Sequence, residues 1–193
     1  MYINGREIVP HANLKGVDLS GLDLSGIDLS HVNLDDANLS NSVFNGSNLY
    51  SASLVGAKID GAEFELANFM HADLSNCSAI DSVFDGSDLS YAKLFNANLR
   101  GSEFYRTTLF KSDLRSANLT SADLEHAYLV GSKLSRSNLT DANLFCASLW
   151  GGGNPRNPFW ILSLIFMRIG LAKAIKVRTK MPNGAVWGDT KVA

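Results

Sequence analysis

From Leu14 to Leu149 almost every fifth residue carries a large apolar side chain, with no insertion or deletion. The series runs Leu14, Leu19, Leu24, Leu29, Leu34, Leu39, Phe44 and Leu49 and continues in register to Leu139, Leu144 and Leu149. It has twenty-eight positions, of which only Ala79 is small. Two residues before each, a second column is mostly small: Ala12, Ala37, Ser42, Ser47, Ala52, Ala57, Ala62, Cys77 and onward to Ala147. Between the columns Asp or Asn recurs, as in Ala72-Asp73-Leu74 and Ala97-Asn98-Leu99. A period of five fits neither a helix at 3.6 nor a strand at 2. The chain must turn after every short segment, always in the same sense, and this predicts a solenoid.

These units resemble the pentapeptide-repeat family, whose motif is A(D/N)Lxx, and the resemblance covers residues 12–150. It implies an all-β solenoid, a right-handed quadrilateral β-helix in which the large residue and the small one two before it point inward. Four units make one square coil, so twenty-eight imply about seven coils, a rod roughly 35 Å long at strand spacing. The sequence carries its own test of the four-sided coil. Phe44, Phe64, Phe84 and Phe104 recur at intervals of 20, as an interior column of rings on one side would. Glycine recurs just after the core residue, at Gly16, Gly46 and Gly86 for example, where tight turns favour unusual φ. Ala79-Ile80 breaks the pattern, and a local irregularity is expected there.

The ends read differently. Residues 1–11 hold Tyr2-Ile3, an Asn4-Gly5 turn signal and Glu7-Ile8-Val9 before Pro10, a small hairpin or extended cap over the first coil. Gly151-Gly152-Gly153 opens a hinge over residues 151–157, and Asn157-Pro158 reads as a helix start. Residues 158–180 are expected to form a C-terminal helix, apolar at its start and basic at its end, followed by a tail over 181–193. Its apolar run before Arg168 is about half of the ~20 residues a spanning helix needs. Three readings of it stand open: a cap on the last coil, a helix lying on a membrane surface, or a homodimer contact. The residues that would make the membrane or dimer contact are Phe159, Trp160, Ile161, Leu164, Ile165, Arg168, Lys173 and Lys176. The Pro182-Asn183-Gly184 turn in the tail resembles those of some bacterial, notably cyanobacterial, pentapeptide proteins.

Charge changes the picture only in its distribution. The net charge is −2, but residues 12–92 hold twelve acids and two bases. Residues 93–150 hold seven bases and five acids, and residues 151–193 seven bases and one acid. The rod is therefore acidic in its first half and basic beyond its end, which bears on partners and orientation rather than on fold. Residues 1–7 are too few and too polar for a secretory h-region. Cys77 falls at an inward position and Cys146 at an outward one, so no disulfide is expected between them. A reducing, cytoplasmic setting follows, peripheral on a membrane if the helix lies there.

Catalysis needs a pocket with convergent groups, and a rod with a filled core is not expected to supply one. His31 and His71 share a side but sit two coils apart, about 9.6 Å by strand spacing, too far to share a metal ion. No cofactor, metal site, enzyme activity or direct nucleic-acid binding is expected. The outward position after the core residue, followed at intervals of 20, reads Ser30, Tyr50, Met70, Ser90, Phe110, Val130 and Trp150, with Tyr91 and Tyr128 beside it. The preceding side carries Asp23, Glu63, Glu65, Asp85, Glu103, Asp123 and Glu125. One side is thus an apolar stripe beside an acidic wall, and contiguous apolar surface marks an interface. The expected partner-binding residues are Tyr50, Met70, Tyr91, Phe110, Tyr128, Val130 and Trp150. Alternatively the tail folds back over this stripe. The leading expectation is a bacterial, non-enzymatic scaffold binding a protein partner through a flat side. The alternative, which the family resemblance implies, is a DNA mimic acting on DNA gyrase. The acidic first half suits a mimic and the excess of bases over residues 93–150 does not.

Overall fold

The structure is a computed structural model that describes residues 2–3, 6–149, 179–182 and 186–187. Within the rod every β-bridge is parallel and joins residues 20 apart, from Asn13–Asn33 to Tyr128–Ser148. Twenty residues are four pentapeptides, so the chain winds a four-sided, right-handed β-helix of seven coils. We label the sides A to D by their first core residues, Leu14, Leu19, Leu24 and Leu29. All four of these leucines, and the core positions stacked above them, are buried.

One pentapeptide explains the local geometry. The Leu14 carbonyl accepts a hydrogen bond from Val17 N at 3.0 Å, and Gly16 between them has φ of 65°. This is the pattern of a type II turn, which needs a left-handed third residue. The same corner recurs every five residues along the rod. Nineteen of these corners are filled by side chains other than glycine, among them Leu66 at 57° and Tyr91 at 60°. The Asp/Asn column has its own role. Asp18 accepts from Ser20 N at 3.0 Å and Asn48 accepts from Tyr50 N at 3.2 Å, closing a side-chain turn over Leu19 and over Leu49. Backbone N–H groups on each side reach the carbonyls of the next coil, as Leu14 N to Asn33 O at 2.8 Å and Asn33 N to Ala12 O at 3.0 Å. Paired this way above and below, the sides of the rod offer side chains, not open strand edges, to a partner.

The interior is filled on all four sides. Phe44, Phe64, Phe84 and Phe104 stack with ring centroids 5.3, 5.2 and 5.0 Å apart and planes within 15° of parallel. Phe69 enters from side D and meets Phe64 edge-on at 5.1 Å and Phe84 at 5.8 Å. Small residues at the second inward column leave room, and where they are serine or threonine the hydroxyl donates to a carbonyl, except at Ser47, whose buried hydroxyl has no partner among the described residues. Ser87 reaches Phe84 O at 2.6 Å and Thr107 reaches the same oxygen at 2.7 Å from the next coil. The irregularity expected at Ala79-Ile80 does not occur. Ser78 bridges Lys58 and Asn98 in register, and Ala79 N donates to Asn98 O at 2.8 Å. The bridges are made by residue 78, so the core side chain can shrink without shifting the ladder.

Strands β1 (Tyr2–Ile3) and β2 (Arg6–Glu7) pair antiparallel beside the first coil, and Ile8 after them is buried in the core. At the other end the chain does something the repeat pattern does not announce. Asn143 bridges Lys180 in parallel, Leu144 N donates to Lys180 O at 2.7 Å, and Lys180 N donates to Ala142 O at 2.8 Å. An unbroken coil would place residue 163 above Asn143, so the chain spends seventeen residues more before it returns to side C. Met181 then occupies the inward position over Leu144 and is buried, the start of an eighth coil. Strand β3 (Thr179–Lys180) pairs antiparallel with β4 (Val186–Trp187), with Thr179 opposite Trp187. The expected helix over 158–180 is therefore wrong at its end, since Thr179 and Lys180 are strand. The unpaired backbone groups of the last coil supply a partner that a weak helical pattern cannot match. Residues 158–178, like the hinge at 151–157, lie outside the described residues.

Candidate interaction face

Side D is the least charged of the four. Its first outward position reads Asp28, Asn48, Asn68, Asp88, Thr108, Tyr128 and Ser148, and its second reads Ser30, Tyr50, Met70, Ser90, Phe110 and Val130. The amides form a ladder, with Asn48 Nδ2 donating to Asp28 Oδ1 at 2.9 Å and Asn68 Nδ2 to Asn48 Oδ1 at 3.0 Å. Such a ladder fixes the face as a flat, regular surface. At its edge with side A the rings join into one continuous series. His11 stacks on His31 at 4.7 Å, His31 meets Tyr50 at 5.4 Å, and Tyr50 meets His71 at 5.8 Å. His71 stacks on Tyr91 at 5.0 Å, Tyr91 meets Phe110 at 5.5 Å, and Phe110 stacks against Tyr128 at 6.0 Å. Seven rings touch in sequence along the rod. The Lys111 ammonium lies over the Phe110 ring at 4.9 Å and over Tyr91 at 5.6 Å, shielding part of the upper half.

Of the residues expected at the partner site, Tyr50, Met70, Phe110 and Val130 form one half-buried column, and Tyr91 and Tyr128 stand exposed beside it. Trp150 lies outside the described residues, as do Phe159, Trp160, Ile161, Leu164, Ile165, Arg168, Lys173 and Lys176. Sequence reasoning missed three members of the series, His11, His31 and His71, by weighing histidines only as metal ligands. Their spacing of 20 and 40 places them in the Tyr91 column and was the available signal. It also missed Leu66 on the opposite edge of the face, between sides C and D. This side chain is 74% exposed and stands in the left-handed region, while the coils below and above use Gly46 and Gly86 at the same place. Its methyl group lies over Gly86, where an added Cβ would meet Leu66 Cδ2 at 2.8 Å. An apolar residue in that conformation costs of order 1–2 kcal/mol relative to glycine. At 74% exposed, Leu66 buries little hydrophobic surface to offset it.

Side C carries the acidic wall. Glu103 bridges Asp123 on the next coil, and burial together with Asp85, Asp123 and Glu65 pushes its carboxyl above the ordinary range. Asp85 is raised in the same direction, by burial first and by Asp123. Such shifts mark like charges held together, whereas on side A opposite charges meet. Lys93 pairs with Asp73 at 3.0 Å and Arg115 with Asp113 at 2.6 Å. The described residues hold no group of three or more His, Cys, Asp or Glu placed to bind a metal ion. No helix among them is long and apolar enough to cross a membrane. Cys77 is sealed in the core with its thiol pushed up to about 12 by burial, and Cys146 is exposed at an edge.

The pentapeptide repeats family model matches in eight copies, over residues 12–49, 27–65, 67–104, 87–125 and 122–151. This chain belongs to the pentapeptide-repeat family. Among solved structures it is similar to a trypsin-treated variant of QnrB1, a plasmid-mediated fluoroquinolone resistance protein. The identity there is 18%, covering 82% of this chain and 95% of that one, with a TM-score of 0.54. It is also similar to HetL, a pentapeptide repeat protein involved in heterocyst differentiation regulation in the cyanobacterium Nostoc. That match has 22% identity, 94% of each chain and a TM-score of 0.40. A third is a pentapeptide repeat protein of the Arabidopsis thaliana thylakoid lumen, 31% identical over 55% of this chain and 70% of that one, with a TM-score of 0.39. A comparison with curated proteins found no match. The likeness to QnrB1 concerns the fold. Within the pentapeptide-repeat fold the chain's own marks are the ring series and Leu66 on side D and the acid cluster on side C.

Proposed function

We propose that this pentapeptide-repeat protein is a non-enzymatic interaction scaffold that binds a protein partner along side D. The observation that carries the reading is the unbroken series of ring contacts from His11 to Tyr128 on the side with fewest charges. Aromatic residues and methionine are enriched at interface centres because they bury large area with little side-chain entropy to lose. The partner contact centres on Tyr50, Met70, Tyr91, Phe110, Tyr128 and Val130, with His31, His71 and Leu66 added. In this reading the apolar and basic segment from Phe159 to Arg178 supplies a second attachment, to a membrane surface in a cytoplasmic setting. Liposome flotation of the full chain against a 154–178 deletion tests that part. The main test is affinity capture from native extract with the full chain and with Phe110→Ser, both first shown folded by circular dichroism. The substitution should weaken the captured partner at least about tenfold, the effect of losing one central aromatic anchor. Equal capture by both forms would remove side D from the reading.

A second reading follows from side C. The acids Glu63, Glu65, Asp85, Glu103, Asp123 and Glu125 present negative charge over four successive coils, which suits a mimic of nucleic-acid phosphate acting on DNA gyrase. Against it, coils spaced about 4.8 Å carry charge more sparsely than duplex DNA, which has one per roughly 1.7 Å of axis. A gyrase supercoiling assay separates the two: no inhibition and no protection at saturating protein removes the mimic.

A further inference from the structure

Leu66 and the ring series on side D, with the charge distribution along the rod, are arranged for a particular occupant. Asp28 stands on the first coil at the half of the face nearer side C, and Arg106 occupies the corner of that edge on the fifth coil, its guanidinium over the Tyr105 ring of side C at 5.0 Å. Leu66, the most exposed large apolar residue described, lies at that edge on the third coil, midway between them. The ring series is centred there too, running from His11 below the first coil to Tyr128 on the sixth. A two-fold axis across the face at the third coil would reverse a second rod and bring first coil to fifth, second to fourth and third to third. Edge meets like edge under that operation. The Asp28 level then meets the Arg106 level, the Tyr50 level faces the Tyr91 level, and Leu66, Asn68 and Met70 each face their own counterpart. The whole-rod charge agrees, since an antiparallel pair sets the acidic first half of one copy against the base-richer second half of the other. A parallel pair would set acidic half against acidic half.

We propose that the occupant of side D is a second copy of this chain, docked antiparallel about a two-fold axis at the third coil. The proposal rests on the reading of side D as the contact face and names its partner. It also gives Leu66 a role: a strained, exposed leucine between two glycine corners becomes the self-paired centre of an isologous interface.

Sedimentation velocity of the full chain should show a concentration-dependent dimer, and Leu66→Asn should weaken it at least tenfold without lowering the melting temperature. Asparagine tolerates the left-handed corner, so misfolding does not confound that variant. Asn68→Cys in a Cys146→Ser background should cross-link to a dimer under mild oxidation, whereas Ser148→Cys in the same background should not. A monomer at all concentrations overturns the proposal, and so does cross-linking at 148 instead of 68, which would mean rods joined near their ends. Failure of this kind leaves the broader reading standing if Phe110→Ser still loses a captured partner. If the dimer forms and survives both Leu66→Asn and Phe110→Ser, the second copy sits elsewhere and the proposal falls.

Discussion

At the residue scale, the informative side chains are those that the repeat does not require. Leu66 occupies a corner where glycine serves the coils on either side, and the fold would be more stable without it. At concentrations where the chain is monomeric, Leu66→Gly should raise stability by roughly 1 kcal/mol, because the left-handed strain disappears and little surface buried within one rod is lost. A decrease in thermal stability would mean that the leucine packs more tightly over Gly86 than its exposure indicates. Glu103 is a second such residue. Its carboxyl titrates above the ordinary range, so the native state holds this proton more tightly than the unfolded chain does. The stability contributed by the protonated form is full below the ordinary carboxylate range and is lost as pH rises through the raised value. Glu103→Gln should therefore raise the melting temperature at neutral pH, with the gain shrinking as pH falls into the carboxylate range. A gain that is constant with pH would point to packing rather than to Asp85, Asp123 and Glu65.

At the element scale, the unit is the coil, and its stability depends on how the interior column fills. Phe84 stacks between Phe64 and Phe104, so Phe84→Ala should cost about 3–5 kcal/mol. Phe95 is 44% exposed on side A, and its replacement by alanine should cost less than about 1 kcal/mol. Denaturant titration of the two variants reads the difference, and equal losses would contradict the inward and outward assignment. The one extra ring, Phe69, enters from side D half a coil before the one missing leucine, Ala79 on side B. Volume added on one side is offset by volume removed on the facing side, as close packing requires. Ala79→Leu should be destabilising alone and markedly less so with Phe69→Leu, and additive effects in this double-mutant cycle would show the two positions to be independent. Periodicity made the coil legible because a five-residue rule is local: small residue, turn-forming Asp or Asn, core residue, corner. It did not make the ring series fully legible. Its members are spread over three outward positions, the corner, the one before it and, for Tyr128, the one before the core residue, so His31 and Tyr50 touch although they are nineteen residues apart. Steps of twenty residues find each column but not their interleaving. The expected irregularity at Ala79 failed for the same local reason, since the bridge belongs to Ser78.

At the scale of the whole molecule, the rod is quasi-one-dimensional, and each coil touches only its neighbours. Its ends therefore decide how far damage spreads. The repeat pattern stops at Leu149, and a reading by periodicity sees only a tail beyond it. The backbone of the seventh coil still needs partners, and Lys180 and Pro182 supply them after an excursion that no periodic rule anticipates. Met181→Ala removes the only described core side chain above Leu144, and Met181→Asp places a charge in that site. Met181→Ala should cost about 2–5 kcal/mol locally, the usual loss for emptying a buried methionine site. Because coupling runs from neighbour to neighbour, the loss should be felt by the last coil and hardly at all by the third. Hydrogen exchange measured by segment checks this: the amides of Leu144, Cys146 and Ser148 should exchange faster, while those of Leu54, Phe64 and Phe69 keep their protection. Faster exchange along the entire rod would show that the returning strand nucleates the solenoid rather than closing it. Unchanged exchange at Leu144 would show that the hydrogen bonds to Lys180 and Pro182 hold without the methionine beneath them.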